Sequence, residues 1–278
     1  MKSKGTIRDE SSLFKIIHKG KTYEYLRSNI INPERKTLLI FHGIATTAEL
    51  MENEIRHFEK EFNVIAPTLN HVNSFSEWSE VIHRIFVIEG VKRVIVKGGS
   101  FGGILAQGYY RNNAEIVDGL ILVNTLPPQG RQAKSDRKIL MLLKLFPLVI
   151  FKKLMLKKLD ILLSIVGLSL DEIEKVQTIK LKMAEILSKK IKKSHLKAIF
   201  KILHEFDSDP KYLNTQNGGK PNILFITSNT DPSYARLENI KKMYPGINIK
   251  EFGDVGHLLP ILRQDAYLKL ICNFVNEV

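Results

Sequence analysis

A β-branched run, Val94-Ile95-Val96, passes through Lys97 into the pattern G-x-S-x-G at Gly98, Ser100 and Gly102. A helix-compatible apolar run, Ile104-Leu105-Ala106-Gln107, follows at once. This order is strand, sharp turn, helix. A turn this tight forces its central residue into a strained backbone state and leaves room only for small neighbours. The strain lifts the Ser100 hydroxyl clear of the sheet. The Phe101 N–H, at the start of the helix, is then aimed at any charge that develops on a substrate oxygen. A glycine-rich phosphate-binding turn is the competing reading. Neither G-x-G-x-x-G nor G-x-x-x-x-G-K-[ST] accompanies the motif, which disfavours it.

The rest of the chain supplies the sheet such a turn requires. FKIIH and YEYLR flank the turn Lys19-Gly20-Lys21 as two short strands. Short apolar runs at Thr37–Phe41, Asn63–Pro67, Arg93–Lys97, Asp118–Asn124, Asn222–Thr227 and Asn248–Phe252 read as further strands. Between them, apolar residues at helical spacing predict helices over Thr47–Phe62, Phe75–Val91, Ser100–Arg111, Leu237–Met243 and Leu259–Val275. Strands alternating with helices after an initial hairpin predict an α/β fold, a mostly parallel sheet with helices on both faces.

A serine hydroxyl is a poor nucleophile at neutral pH; it needs a base, and the base needs an orienting acid. Asp231 follows the strand ending at Thr227, and His257 follows the strand ending at Phe252, each on a loop where a parallel sheet gathers its active groups. The order Ser100, Asp231, His257 is the one expected behind such a turn. Asp254 is the rival acid, although three residues from His257 it reads better as a turn-former. Asn124 ends its strand on the same edge but cannot act as a carboxylate. A second oxyanion donor beside Phe101 is expected from Ile44, just after the strand-ending pair His42-Gly43. His42 itself reads as a brace for that loop. Lys97 is out of place at a strand end that should be buried, and the sequence offers no reason for it.

The 278 residues suffice for one large α/β domain with an inserted segment. A single cysteine, Cys272, excludes an internal disulfide and suits a reducing, cytoplasmic setting; it reads as a small core residue. MKSKGTIRDESS lacks the apolar run of a signal peptide, and no stretch is apolar enough to predict a membrane span. The net charge of +13 is concentrated: residues 126–220 carry 20 Lys/Arg against 9 Asp/Glu. His195 and His204 are badly spaced for a metal, and no metal site or cofactor is expected.

Together, His42-Gly43, the turn Gly98 to Gly102, Asp231 and His257 resemble the α/β-hydrolase superfamily over residues 13–125 and 221–278. The resemblance implies Ser100 as nucleophile, His257 as base, Asp231 as acid, and Ile44 and Phe101 as oxyanion donors. It also implies a core formed by 1–125 and 221–278, with 126–220 as a helical cap or lid. The implied activity is a serine hydrolase cleaving an ester or related acyl bond through an acyl-serine intermediate, with no cofactor. Serine at position 100 disfavours branches with an aspartate nucleophile. Gly98-Gly99-Ser100-Phe101-Gly102-Gly103 is similar to the turn of prolyl aminopeptidases (GGSWGG), which implies an alternative amide or peptide hydrolase. Their H-G-G-P-G loop is replaced by His42-Gly43-Ile44-Ala45-Thr46, a departure that also weakens the carbon–carbon bond hydrolases. A fainter likeness to maspardin implies a non-catalytic adaptor.

Within the basic segment, Ile139 to Leu170 is dominated by Leu and Ile, with paired lysines at 152–153 and 157–158 and a helix-breaking Pro147. The expected arrangement turns the apolar face to the site and the lysines to water, which favours an apolar acyl substrate. A basic amphipathic cap can also touch an anionic membrane. No nucleic-acid motif accompanies the charge, and no nucleic-acid partner is expected.

Overall fold

The computed structural model describes residues 13–165, 167–213 and 222–278. The expectations for residues 1–12 and for the end of the basic segment, 214–220, lie outside the described residues.

The strands are β1 (Phe14–His18), β2 (Lys21–Arg27), β3 (Thr37–Phe41), β4 (Asn63–Pro67), β5 (Val94–Gly99), β6 (Val117–Val123), β7 (Asn222–Ser228) and β8 (Asn248–Phe252). They form one sheet in the order β1-β2-β4-β3-β5-β6-β7-β8. β1 pairs antiparallel with β2, and β2 antiparallel with β4; every later pairing is parallel. All residues of β3 and β4 are buried, as a sheet covered on both faces requires. The connecting helices are α1 (Glu52–Phe58), α2 (Phe75–Glu89), α3 (Phe101–Asn112), α4 (Ala133–Leu145), α5 (Leu148–Leu162), α6 (Leu170–Lys189), α7 (Lys193–Ser208), α8 (Pro210–Leu213), α9 (Leu237–Met243), α10 (Leu259–Leu262) and α11 (Gln264–Glu277).

The period-two alternation of β5 divides the core. Val94 and Val96 join the apolar layer beneath α2 and α3, whereas Ile95 joins the layer beneath α1 and α11. α2 is bounded by its chemistry: the Ser74 hydroxyl accepts from Glu77 N–H at its start, and Gly90 at φ 70° ends it.

Two expected helices are shorter or broken. The run from Thr47 begins as a 3-10 turn at Ala48–Met51 and continues as α1 only to Phe58. The C-terminal run breaks at Arg263 between α10 and α11.

The basic segment is a helical insertion between β6 and β7, at the carboxyl end of the sheet. Pro147, at φ −61° and ψ 144°, separates α4 from α5. Leu143, Ile186, Leu196, Ile202 and Phe206 belong to the same apolar layer as Leu120 and Leu122 of β6, so the insertion continues the main core. Its apolar residues do not all turn inward: Leu145, Val149, Leu154 and Ile161 are more than half exposed.

Candidate active site

Ser100 sits between β5 and α3 at φ 55° and ψ −122°, a conformation that non-glycine residues rarely adopt. Its N–H donates to the Val123 carbonyl (2.8 Å), and its own carbonyl accepts from Thr125 Oγ1 (2.7 Å) and Gly103 N–H (3.0 Å). These bonds hold the strained turn from both sides. The flanking glycines are required by space: a Cβ on Gly98 would lie 2.0 Å from the Gly102 carbonyl oxygen, and one on Gly102 would lie 2.3 Å from that of Phe41. The side chain of Phe101 is buried, and as the first residue of α3 its N–H belongs to the donors that have no partner within the helix.

Asp231 and His257 meet across the loops that follow β7 and β8. His257 Nδ1 lies 2.6 Å from Asp231 Oδ2. The Asp231 carboxylate is almost fully buried. It also accepts the Ser233 N–H at 2.7 Å and the Ser233 hydroxyl. Burial pushes its pKa upward, but the bonds from His257 and Ser233 prevail and hold it below the ordinary aspartate value. Asp254 is exposed and is not the partner of the imidazole.

Ser100 and His257 line one cavity of about 520 Å³, together with Gly43, Ile44 and Asn124. Among the described residues no hydrogen bond joins the Ser100 hydroxyl to the imidazole. Such contacts often close only when substrate is bound. The cavity wall is apolar at Leu50, Met51, Leu159, Leu163, Met183 and Ile261, and charged at Glu54, Lys97, Asp171, Glu174 and Lys175.

His42 is buried behind the Ile44 loop. Its Nε2 accepts the Leu69 N–H (3.0 Å), so the proton resides on Nδ1 and is donated to the Gly43 carbonyl (2.8 Å). Burial pushes its pKa down to about 4, against the pull of that carbonyl. The neutral ring ties the loop after β3 to the loop after β4.

Lys97 continues the alternation of β5 onto the α1/α11 side. It is 2% exposed, ion-paired with Glu54 of α1, and 5.5 Å from the ring centre of Tyr267 on α11.

Asn124 and Ser228 were not singled out for positioning by the sequence. Asn124 Nδ2 donates to the Gly256 carbonyl (3.0 Å), and its Oδ1 accepts the Ser228 N–H (3.1 Å). Ser228 Oγ donates to Gly253 O (2.6 Å) and accepts Gly256 N–H (2.9 Å). The pair fixes the backbone that carries His257. The only local signal is a cluster of small polar residues at strand ends, which also suits an ordinary turn. Among the described residues no group of three or more His, Cys, Asp or Glu is placed to hold a metal ion.

A mostly parallel eight-stranded sheet in this order, with a strained serine between β5 and α3, is the α/β-hydrolase fold, and this chain has it. Solved structures of that class superpose along nearly the whole chain. A hydrolase from Pseudomonas aeruginosa matches with a TM-score of 0.76 at 15% identity, covering 96% of this chain and 99% of that one. An enol-lactonase from Burkholderia xenovorans matches at 0.72 and 13% identity, covering 94% and 99%. A thermophilic esterase from Thermogutta terrifontis matches at 0.72 and 15% identity, covering 96% and 99%. No protein-family model matches the sequence, and sequence comparison with curated proteins finds no match.

Proposed function

We propose that this chain is a serine hydrolase that cleaves an ester or related acyl bond through an acyl-Ser100 intermediate. The observation that carries the reading is the buried Asp231–His257 hydrogen bond, with the imidazole opening into the cavity that Ser100 lines. Hydrolase and esterase names among the structural neighbours agree with it.

With substrate in the cavity, Nε2 of His257 takes the Ser100 proton as Oγ attacks the acyl carbon. Asp231, ionised by its own hydrogen bonds, keeps the imidazole proton on Nδ1 and stabilises the imidazolium that forms. The N–H groups of Phe101 and Ile44 are the donors for the oxyanion; Phe101 owes its position to the helix start, Ile44 to the loop braced by His42. His257 then gives its proton to the leaving group. Water repeats the sequence on the acyl-enzyme and regenerates the serine. Leu159, Leu163, Met183 and Ile261 on the cavity wall favour an apolar acyl group.

The test combines a fluorophosphonate probe with a panel of nitrophenyl esters of increasing acyl length. Wild type is expected to label at Ser100 and to turn over the esters. Ser100→Ala is expected to lose labelling and at least about a thousandfold in rate. Equal rates for the two proteins would remove Ser100 from the chemistry. Absence of labelling in wild type would favour an adaptor on a hydrolase scaffold, and faster cleavage of proline arylamides than of esters would favour an amide hydrolase.

A further inference from the structure

The consecutive helices α4 and α5 turn apolar side chains outward around Pro147. Met141 and Leu145 stand one turn apart near the end of α4, Phe146 lies in the connection, and Val149, Ile150 and Leu154 continue along α5. Their exposure runs from 43% at Ile150 to 76% at Leu145. Scattered exposed apolar residues are ordinary, but six within residues 141–154 are a concentration that asks for a partner. Lysines interleave with them. Lys153, Lys157 and Lys158 are exposed three or four residues from Ile150 and Leu154, and so lie on the same side of α5. Among the described residues no carboxylate pairs with these three.

We propose that the exposed apolar and lysine side chains of residues 141–158 are a docking surface for an anionic lipid bilayer. The apolar side chains enter the boundary between headgroups and acyl chains, and the lysines beside them reach up to lipid phosphates. Charge selects this occupant. A second copy of the chain meeting the patch would set these lysines against their own kind, because a two-fold interface repeats one surface on both sides. The chain's own remaining segments do not suit it: residues 1–12 offer only Met1 and Ile7 as large apolar side chains, and residues 214–221 offer none. No helix among the described residues is long and apolar enough to cross a membrane, so α5 would lie along the surface. The opposite side of α5 carries Leu159 and Leu162, which line the cavity with Leu163 just past its end. Docking therefore sets one wall of that cavity at the lipid interface. This last consequence rests on the hydrolase reading; the surface itself does not.

Binding of the full chain to vesicles tests it, with phosphatidylcholine alone compared with phosphatidylcholine containing about a third phosphatidylglycerol. Wild type is expected to bind the anionic vesicles at least about tenfold more tightly than the neutral ones. Replacing Lys153, Lys157 and Lys158 together by Gln is expected to weaken that binding roughly a hundredfold, about fivefold for each charge removed. Leu145→Ser with Leu154→Ser is expected to weaken it at least about tenfold. Both variants are expected to keep the wild-type thermal melt, which shows that they are folded whatever the chemistry at Ser100. Ser100→Ala binds vesicles as wild type does, so failure of the chemistry and failure of the docking are separable. The proposal is overturned by equal binding to neutral and anionic vesicles, by no binding, or by unchanged binding in either surface variant. A concentration-dependent dimer that Leu145→Ser with Leu154→Ser abolishes would instead assign the patch to a second copy.

Discussion

Lys97 brings a positive charge to the end of β5, one residue before the serine turn, where the sheet is covered on both faces. Removing an ammonium group from water costs several kcal/mol unless a counter-charge and further contacts offset it. Glu54 supplies the counter-charge, and the ring of Tyr267 supplies a negative face. The Tyr267 hydroxyl, 3.4 Å from Glu54 Oε1, closes the group, which joins β5, α1 and α11 along one side of the cavity. Removing one partner should therefore cost more than removing both. Lys97→Met is expected to lower stability by about 3 kcal/mol, since it leaves Glu54 largely buried without its partner. Lys97→Met combined with Glu54→Gln is expected to recover most of that loss in urea denaturation. Strictly additive losses in the double-mutant cycle would show that the pair is not coupled. In the sequence Lys97 was an anomaly because its partners lie 43 and 170 residues away, and no local pattern announces them. The placement of Ser100, Asp231 and His257 on one edge of the sheet is legible for the opposite reason. Each follows a strand that declares itself by composition, and a parallel sheet gathers strand ends on one edge.

Elements whose limits depend on burial were the easiest to read. The cores of β3, β4 and β6 are unbroken apolar runs, and the parallel sheet leaves them no other place. Helix ends were harder. The segment after Thr47 starts as a 3-10 turn, and the Ala48 N–H is held by Thr68 Oγ1 (3.1 Å) from another loop, so its limit is set by tertiary contact. Packing between α4 and α7 was equally hidden, and it has a pH signature. Asp136 of α4 and Asp207 of α7 are buried; burial raises both to about 6, and Asp207 adds to the rise at Asp136 while nearby His204 opposes it. Between about pH 4 and 6 the folded chain keeps protons that the unfolded chain has released, so this pair costs stability as pH rises, and the full cost stands above about 6. Asp231 works the other way: its lowered pKa contributes stability above the ordinary aspartate value and loses it as pH falls through the folded value. Asp136→Asn removes one raised carboxyl without touching the site. It is expected to raise stability at pH 7.5 by on the order of 1 kcal/mol and to flatten the fall between pH 4 and 6 relative to wild type. A variant that tracks wild type in thermal melts across that range would show that Asp136 ionises freely in the folded protein.

Across the whole molecule, the insertion is held to the sheet in two different ways. α7 buries Leu196, Ile199, Ile202 and Phe206 in the main core, together with Leu143 of α4. Apolar burial of that extent survives salt. α6 buries fewer residues, Val176 beside Leu163 and Leu258 and then Ile186 and Leu187 in the main core, and adds contacts by charge. Lys182 pairs with Glu52 (3.2 Å), Lys190 with Glu49, and Glu172 with Arg263 (3.3 Å). These pairs are partly exposed and contribute at most about 1 kcal/mol each. Of the two helices only α6 lines the cavity, through Ile179 and Met183, so the part of the insertion held more by charge is the part that faces Ser100. Hydrogen exchange should rank them: β5 and β6 slowest, α7 next, and α6 fastest of the three. Raising the salt from about 0.05 M to about 1 M screens the pairs and is expected to speed exchange in α6 several-fold, with β5 and β6 unchanged. If α6 exchanges as slowly as β5, or ignores salt, its apolar contacts hold it. If α6 responds alone, ion pairs to Glu49, Glu52 and Arg263 hold the cavity wall that Ile179 and Met183 form.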